Sequence, residues 1–371
     1  MKLDTLRKVL PYFLVAVIFF CALKTRLSYF DQVGNDFEVF RQAAEDFYEG
    51  VNPYYKTIET FGDRNSNYDH GFAFLPGILY LFTPLHHYHT LTNLQMVDMY
   101  KYPILAFDIG IGILFTIYFW KKSKFALIVS LLFWFFNPYI VTKTNFNYMD
   151  SVSLFFMLFA LMYLEEDDIL SGFFYALSFG MKTFPIILFP LFSFRSKSKL
   201  TFLLSSGITL LAVSLPFLSD PQLYLRAALL SHSERFVQGK PFLFLLSYKQ
   251  KIEFIRTIPF NFYAFMAIAS GWIITSLEYL KLPIQKIKNF YKRFESKYAA
   301  AVLPFIGFYI LTPVLNKTYL LWVMPVLTLG AYEYFKEKKF WFYVTLGVFY
   351  LFYFRYLSEW GYGLHVDYKY Y

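Results

Sequence analysis

Long unbroken runs of apolar residues, separated by short polar connectors, dominate this chain. They fall at roughly 9–23, 103–120, 125–141, 151–164, 169–182, 184–194, 200–218, 258–280, 298–315, 319–335 and 340–357. Continuous runs are not the alternating segments of a membrane barrel, so each predicts a helix. Several reach or approach the roughly 17–25 residues needed to cross a bilayer. The expected fold is therefore an all-α polytopic membrane protein with about 11 transmembrane helices. The 14 residues 72–85 are also apolar, but Pro76, Gly77 and Pro84 interrupt them. That segment is expected to dip into the outer leaflet without crossing.

Composition supports this picture: 57% of the 371 residues are hydrophobic, 23% aromatic and only 16% charged. An ordinary soluble core has no room for so much apolar surface. The net charge of +9 resides largely in short connectors between apolar runs, at Lys121/Lys122/Lys124, Arg195/Lys197/Lys199, residues 281–297 and Lys336/Lys338/Lys339. Membrane orientation explains it better than nucleic acid binding does, and no nucleic acid partner is expected. With strict alternation from 103–120 onward, all four connectors share a side with the N-terminus, which the positive-inside rule makes cytoplasmic. The opening segment has a signal-like charged start, but Lys24 and Arg26 follow in place of a cleavage site, so it reads as a retained first span. Cys21 is the only cysteine, which excludes a disulfide framework.

This arithmetic leaves two large external segments, 29–102 and 219–257, within one membrane domain over 1–371. In the first, Phe37, Phe40, Ala44 and Phe47 recur at helical spacing, with Glu38, Arg41, Gln42, Glu45 and Asp46 opposite. Gly50, Asn52 and Pro53 terminate the pattern. An amphipathic helix on the membrane surface is predicted, with Asp36 at its N-terminus.

Further polar residues gather at the same outer ends: Asn145, Asn147 and Asp150 in one turn, Lys182 between two apolar runs, and His232, Glu234, Arg235 and Lys240 in the second external segment. A carboxylate facing several cations suits a hydroxyl that must lose a proton while a phosphate departs. Each residue also has a plain structural reading. Asp36 and Asp150 fit helix starts, Lys182 fits a cation snorkelling to the interface, and His232 and Arg235 fit ordinary loop positions. His86, His87 and His89 have no acidic ligand in their run and read as an interfacial cluster, so no metal or cofactor is called for. The acidic run Glu165 to Asp168 reads as a solvated turn, and Asn316-Lys317-Thr318 forms a glycosylation sequon on the external side.

Residues 34–44, Gly-Asn-Asp-Phe-Glu-Val-Phe-Arg-Gln-Ala-Ala, followed by Gly50-Val51-Asn52-Pro53-Tyr54, resemble the first external loop of GT-C glycosyltransferases that use polyprenyl-phosphate-linked mannose. Asn137-Pro138, Met149-Asp150-Ser151, Met181 to Pro185, His232 with Arg235, and Tyr319 to Trp322 near Pro325 continue the resemblance in order. It covers about 30 to 330 and extends to bacterial and archaeal polyprenol-phosphate mannosyltransferases and to the catalytic subunit of the GPI mannosyltransferase. The GPI pattern carries two aspartates around one residue. Gly34 replaces the first here, which favours the single-aspartate pattern.

The resemblance implies a GT-C-type bundle and a catalytic base at Asp36. The expected activity is transfer of a sugar, mannose first among candidates, from a polyprenyl-phosphate carrier to a glycolipid or glycan hydroxyl at the outer membrane face. Lys182, Arg235, His232, Asp150 and Asn147 are the expected phosphate and substrate contacts. A lipid or solute transporter explains intramembrane charge equally well, but predicts two related halves that the sequence does not show. A non-catalytic scaffold would tolerate Asn at Asp36.

Overall fold

The computed structural model describes residues 3–30, 35–60, 71–92, 96–143, 149–230, 238–239, 241–243, 258–277, 279 and 285–361. From the N-terminus these form α1 (Leu3–Leu27), α2 (Asn35–Tyr48), α3 (Tyr54–Thr60), α4 (Gly77–Thr92), α5 (Met96–Phe119), α6 (Lys124–Phe135), α7 (Pro138–Lys143), α8 (Asp150–Tyr163) and α9 (Asp168–Met181). A 3₁₀ turn, Phe184–Leu188, leads into α10 (Phe189–Arg195), α11 (Lys199–Ser214) and α12 (Pro221–Ala228). The C-terminal part holds α13 (Phe260–Leu277), α14 (Gln285–Lys292), α15 (Lys297–Ala300), α16 (Leu303–Leu311), α17 (Tyr319–Tyr334) and α18 (Lys339–Gly361). The residues Gln238–Gly239 (β1) pair in parallel with Val314–Leu315 (β2).

Among the described residues every apolar run is mainly helical, and punctuation in the sequence sets the breaks. Four stretches are long and apolar enough to span a bilayer: Val9–Leu27, Tyr100–Phe119, Lys199–Phe217 and Lys339–Ser358. Shorter apolar helices cover most of the other runs. The run 125–141 divides at Asn137-Pro138. Buried Asn137 donates to the Trp134 carbonyl at 2.7 Å and accepts from the Ile140 amide at 3.1 Å, capping the restart that Pro138 begins. Ser123, Asp167, Ser198 and Asp220 cap α6, α9, α11 and α12 through amide-to-oxygen bonds.

Polar contacts between apolar helices fix their pairing. In the α8–α9 hairpin, Ser153 donates to the Ser178 carbonyl at 2.8 Å and Ser178 to the Ser153 carbonyl at 2.7 Å. Small hydroxyls suit this role because they let helix backbones approach. Arg26, at the end of α1, meets Asp108 of α5 at 2.5 Å with both side chains fully buried. The same guanidinium donates to the Phe135 carbonyl at the end of α6 at 2.9 Å, and the Trp134 indole donates to the Asp108 carbonyl at 3.1 Å. Buried Lys101 donates to the Phe30 carbonyl just beyond α1.

The cationic connectors meet at one end of the bundle. Lys122 pairs with Glu333 at 2.8 Å, Arg195 with Glu165 at 3.0 Å and Lys297 with Glu166 at 3.3 Å. Arg195 also donates to the backbone carbonyls of Glu295 and Phe294. The acidic run Glu165 to Asp168, expected as a solvated turn, thus docks the neighbouring connectors. Burial holds the Lys297 ammonium below the ordinary lysine range, with Glu166 opposing the shift.

Helix α2 has the predicted phase, and its apolar face is covered by protein. Phe37 is 1% exposed and Phe40 4%, packed against Tyr100, Phe72, Phe74 and Phe82. Aromatic residues of α4, α5 and the segment preceding α4 supply the surface that the amphipathic pattern assigned to lipid. Asp46, expected on the polar face, is 8% exposed and pairs with Lys56 at 2.8 Å. The helix ends as read: Gly50 has φ +79°, and the Val51 amide bonds the Asp46 carbonyl at 2.8 Å. The helix α4 is 16 residues long with Pro84 inside it, shorter than the four long stretches.

Candidate functional site

The hairpin places the first residue of α8 beside the residue that ends α9. Lys182 caps α9 in extended conformation before the 3₁₀ turn, so the helix breaks where the runs 169–182 and 184–194 meet. Its ammonium lies 2.7 Å from Asp150 Oδ1. The same oxygen accepts from the Trp322 indole of α17 at 2.5 Å. Exposure separates the partners: the Asp150 side chain is 3% accessible and that of Lys182 21%. The carboxylate is buried while the lysine is partly exposed. An ammonium has three donors, and among the described residues Asp150 is the one acceptor of Lys182.

Trp322 entered the sequence reading only as the end of a matched motif, with no role assigned to it. It stacks on Phe184 with centroids 4.6 Å apart and on Tyr319 at 3.9 Å. Its centroid lies 5.8 Å from the Lys182 ammonium. The signal was present in Tyr319-Leu320-Leu321-Trp322, since an indole N–H buried in an apolar span requires an acceptor. Three elements distant in sequence, namely the start of α8, the end of α9 and the start of α17, thus share one oxygen.

Close backbone contact ties this site to α2. A side chain at Gly77, the first residue of α4, would sit 2.7 Å from the Gly180 carbonyl, so α4 abuts the end of α9 two residues before Lys182. Phe74, three residues before Gly77, lies 4.9 Å from Phe40 of α2, and Phe40 follows Asp36 by one turn. The start of α4 and the residues before it therefore lie between the helix bearing Asp36 and the Lys182 end of the hairpin. The side chain of Asp36, and Asn145, Asn147, His232, Glu234, Arg235 and Lys240, lie outside the described residues.

A sequence profile of glycosyltransferase family 87 matches residues 72–277, more than half of the chain. The chain belongs to glycosyltransferase family 87. The matched region contains α4 through α13 and so includes Asp150 and Lys182, while Asp36 precedes it and Trp322 follows it. GPI mannosyltransferase 1 of Eremothecium gossypii is 25% identical over 153 residues, 41% of this chain. That alignment covers 34% of the relative, so the chain spans about a third of the length of the curated protein it matches. No solved structure matches. Family 87 membership and this partial similarity support the mannosyltransferase-like GT-C resemblance read from the sequence, and favour a transferase over a transporter.

Proposed function

We propose that this family 87 protein transfers mannose from a polyprenyl-phosphate carrier to a hydroxyl of a glycolipid or glycan acceptor at the outer face of the membrane. The observation that carries the reading is the partly exposed Lys182, held by a buried carboxylate at the broken end of α9. A lone lysine snorkelling to the interface needs no such partner.

In this reading about 11 helices cross the bilayer, with α4 lying in the outer half and the cationic end in the cytoplasm. Residues 1–371 form one membrane domain, 29–102 and 219–257 are external, and α2 belongs to the first external segment. The reaction is a single inverting displacement. The acceptor oxygen attacks the anomeric carbon while the Asp36 carboxylate takes the hydroxyl proton. The bond to phosphate breaks on the opposite side, and its electron pair leaves with the polyprenyl phosphate. Lys182, Arg235, His232 and Asn147 receive the charge growing on the phosphate oxygens, with Arg suited to bidentate contact. Asp150 serves the phosphate through Lys182, since a carboxylate repels the phosphate itself. No metal or other cofactor enters the scheme.

The test is incubation of purified protein with polyprenyl-phosphate mannose and a membrane lipid extract, followed by mass spectrometry. A product heavier by one hexose, with release of the polyprenyl phosphate, is expected. An unchanged extract in the presence of folded protein and intact donor contradicts the proposal.

A further inference from the structure

Among the described residues, the indoles of Trp134 and Trp272 donate to backbone carbonyls, that of Asp108 at 3.1 Å and that of Ile186 at 2.8 Å. Such bonds satisfy a buried N–H. Trp322 is used differently. Its N–H goes to a side-chain carboxylate oxygen, Asp150 Oδ1 at 2.5 Å, and the same oxygen holds the Lys182 ammonium at 2.7 Å. The ring of Trp322 holds the Lys182 turn a second time. Phe184, two residues beyond Lys182, stacks on it with planes 13° apart, and Tyr319 stacks on it at 26°. The Tyr309 hydroxyl donates to the Tyr319 carbonyl at 2.7 Å, which ties the start of α17 to α16. One side chain, 4% exposed, thus grips the break after α9 through Asp150 and through Phe184.

Lysine is a residue that needs such support. Its ammonium sits on a long flexible stem, and holding it in one place costs side-chain entropy. Asp150 restrains it, but a carboxylate also turns about its own side-chain bonds. A second donor from another element fixes where the shared oxygen sits. Because the indole is neutral and donates only, it does this without adding a second cation, and Lys182 remains the charge at the site.

We propose that Trp322 is the positioning residue of the donor phosphate site: its N–H fixes the Asp150 oxygen that in turn places the Lys182 ammonium. The assignment rests on the transferase reading above, and adds to it a residue outside the region that the family profile matches. Trp322 touches neither sugar nor phosphate in this account. It acts through Asp150 and Lys182, so its effect on the donor vanishes once Lys182 is removed.

The test measures binding of polyprenyl-phosphate mannose to the purified full-length protein. Trp322→Phe keeps an aromatic ring against Phe184 and Tyr319 and removes the N–H. It should weaken donor binding about three- to tenfold, whereas adding it to Lys182→Ala should weaken binding no further than Lys182→Ala alone. A second readout needs no folded Trp322 variant. In NMR with isotope-labelled tryptophan, the indole resonance that Asp150→Asn displaces should also move when donor is added to the wild type. Unchanged binding in Trp322→Phe, an equal loss with and without Lys182, or an indole resonance that stays in place at saturating donor would leave Trp322 as packing and overturn the proposal. In each of these outcomes the wild type binds the donor. A wild type that binds none overturns the transferase reading and this assignment with it, so the two failures are told apart.

Discussion

At the scale of single residues, the Asp150–Lys182–Trp322 cluster joins stability to the proposed donor contact. Lys182→Ala leaves a buried carboxylate with the Trp322 indole as its remaining donor, at a cost of roughly 1–3 kcal/mol, moderated by the partial exposure of the lysine. Adding Asp150→Asn to Lys182→Ala should recover most of that loss, because the buried charge is gone. The Michaelis constant for the lipid-phosphate sugar should stay raised in both variants, and also in Arg235→Ala, since the cation on the phosphate is still missing. Donor kinetics that return to normal in the double variant would reduce the cluster to a structural pair. Much of this site was legible beforehand. Asp150 and Lys182 stood out as ionisable groups at the ends of apolar runs, where such groups are costly. Their pairing was not, because it depends on α8 and α9 returning antiparallel, and a spacing in sequence does not measure a distance across a hairpin.

At the scale of elements, the Arg26–Asp108 pair decides how the first helix is held. Both side chains are fully buried, and the guanidinium also bonds the end of α6. Arg26→Met alone should lower the stability of the detergent-solubilised protein by about 3–5 kcal/mol, because the buried Asp108 carboxylate loses its guanidinium partner. Arg26→Met with Asp108→Leu should return close to wild type, as apolar replacement of a buried pair is often neutral or better. Equal unfolding temperatures for the single variant and the wild type contradict this account. The sequence reading took Arg26 only as the cationic end of a span. It left Asp108 unremarked inside an apolar run, where a lone carboxylate signals a partner elsewhere. Helix α2 gives the opposite lesson. Its phase and its terminator were legible from the spacing of Phe37, Phe40 and Ala44 and from Gly50. What covers its apolar face was not, because periodicity identifies a face and leaves its neighbour unnamed.

For the whole molecule, Lys122, Arg195 and Lys297 pair with Glu333, Glu165 and Glu166 at one end of the bundle, and the proposed topology assigns that end to the cytoplasm. With exposed Cys21 replaced by serine, single cysteines at Lys122, Lys197 and Lys338 should react only with reagents that reach the cytoplasm. Those at Asp63, Gln238 and Tyr371 should react from outside. Labelling of Tyr371 from the cytoplasm would change the parity and make α4 or another helix a crossing. The central claim, that Asp36 at the start of α2 is the base of a glycosyl transfer, is tested most directly by the turnover of Asp36→Asn. Asn is nearly isosteric with Asp and caps a helix equally well, so the variant should fold and bind the donor as the wild type does. Loss of a general base lowers the rate about 10²–10⁴-fold, whereas loss of a favourable charge at a helix start costs less than about 1 kcal/mol of stability. A folded Asp36→Asn protein that retains donor binding and loses at least about a hundredfold in transfer rate is the predicted result. Turnover within a few-fold of wild type would remove Asp36 from the reaction.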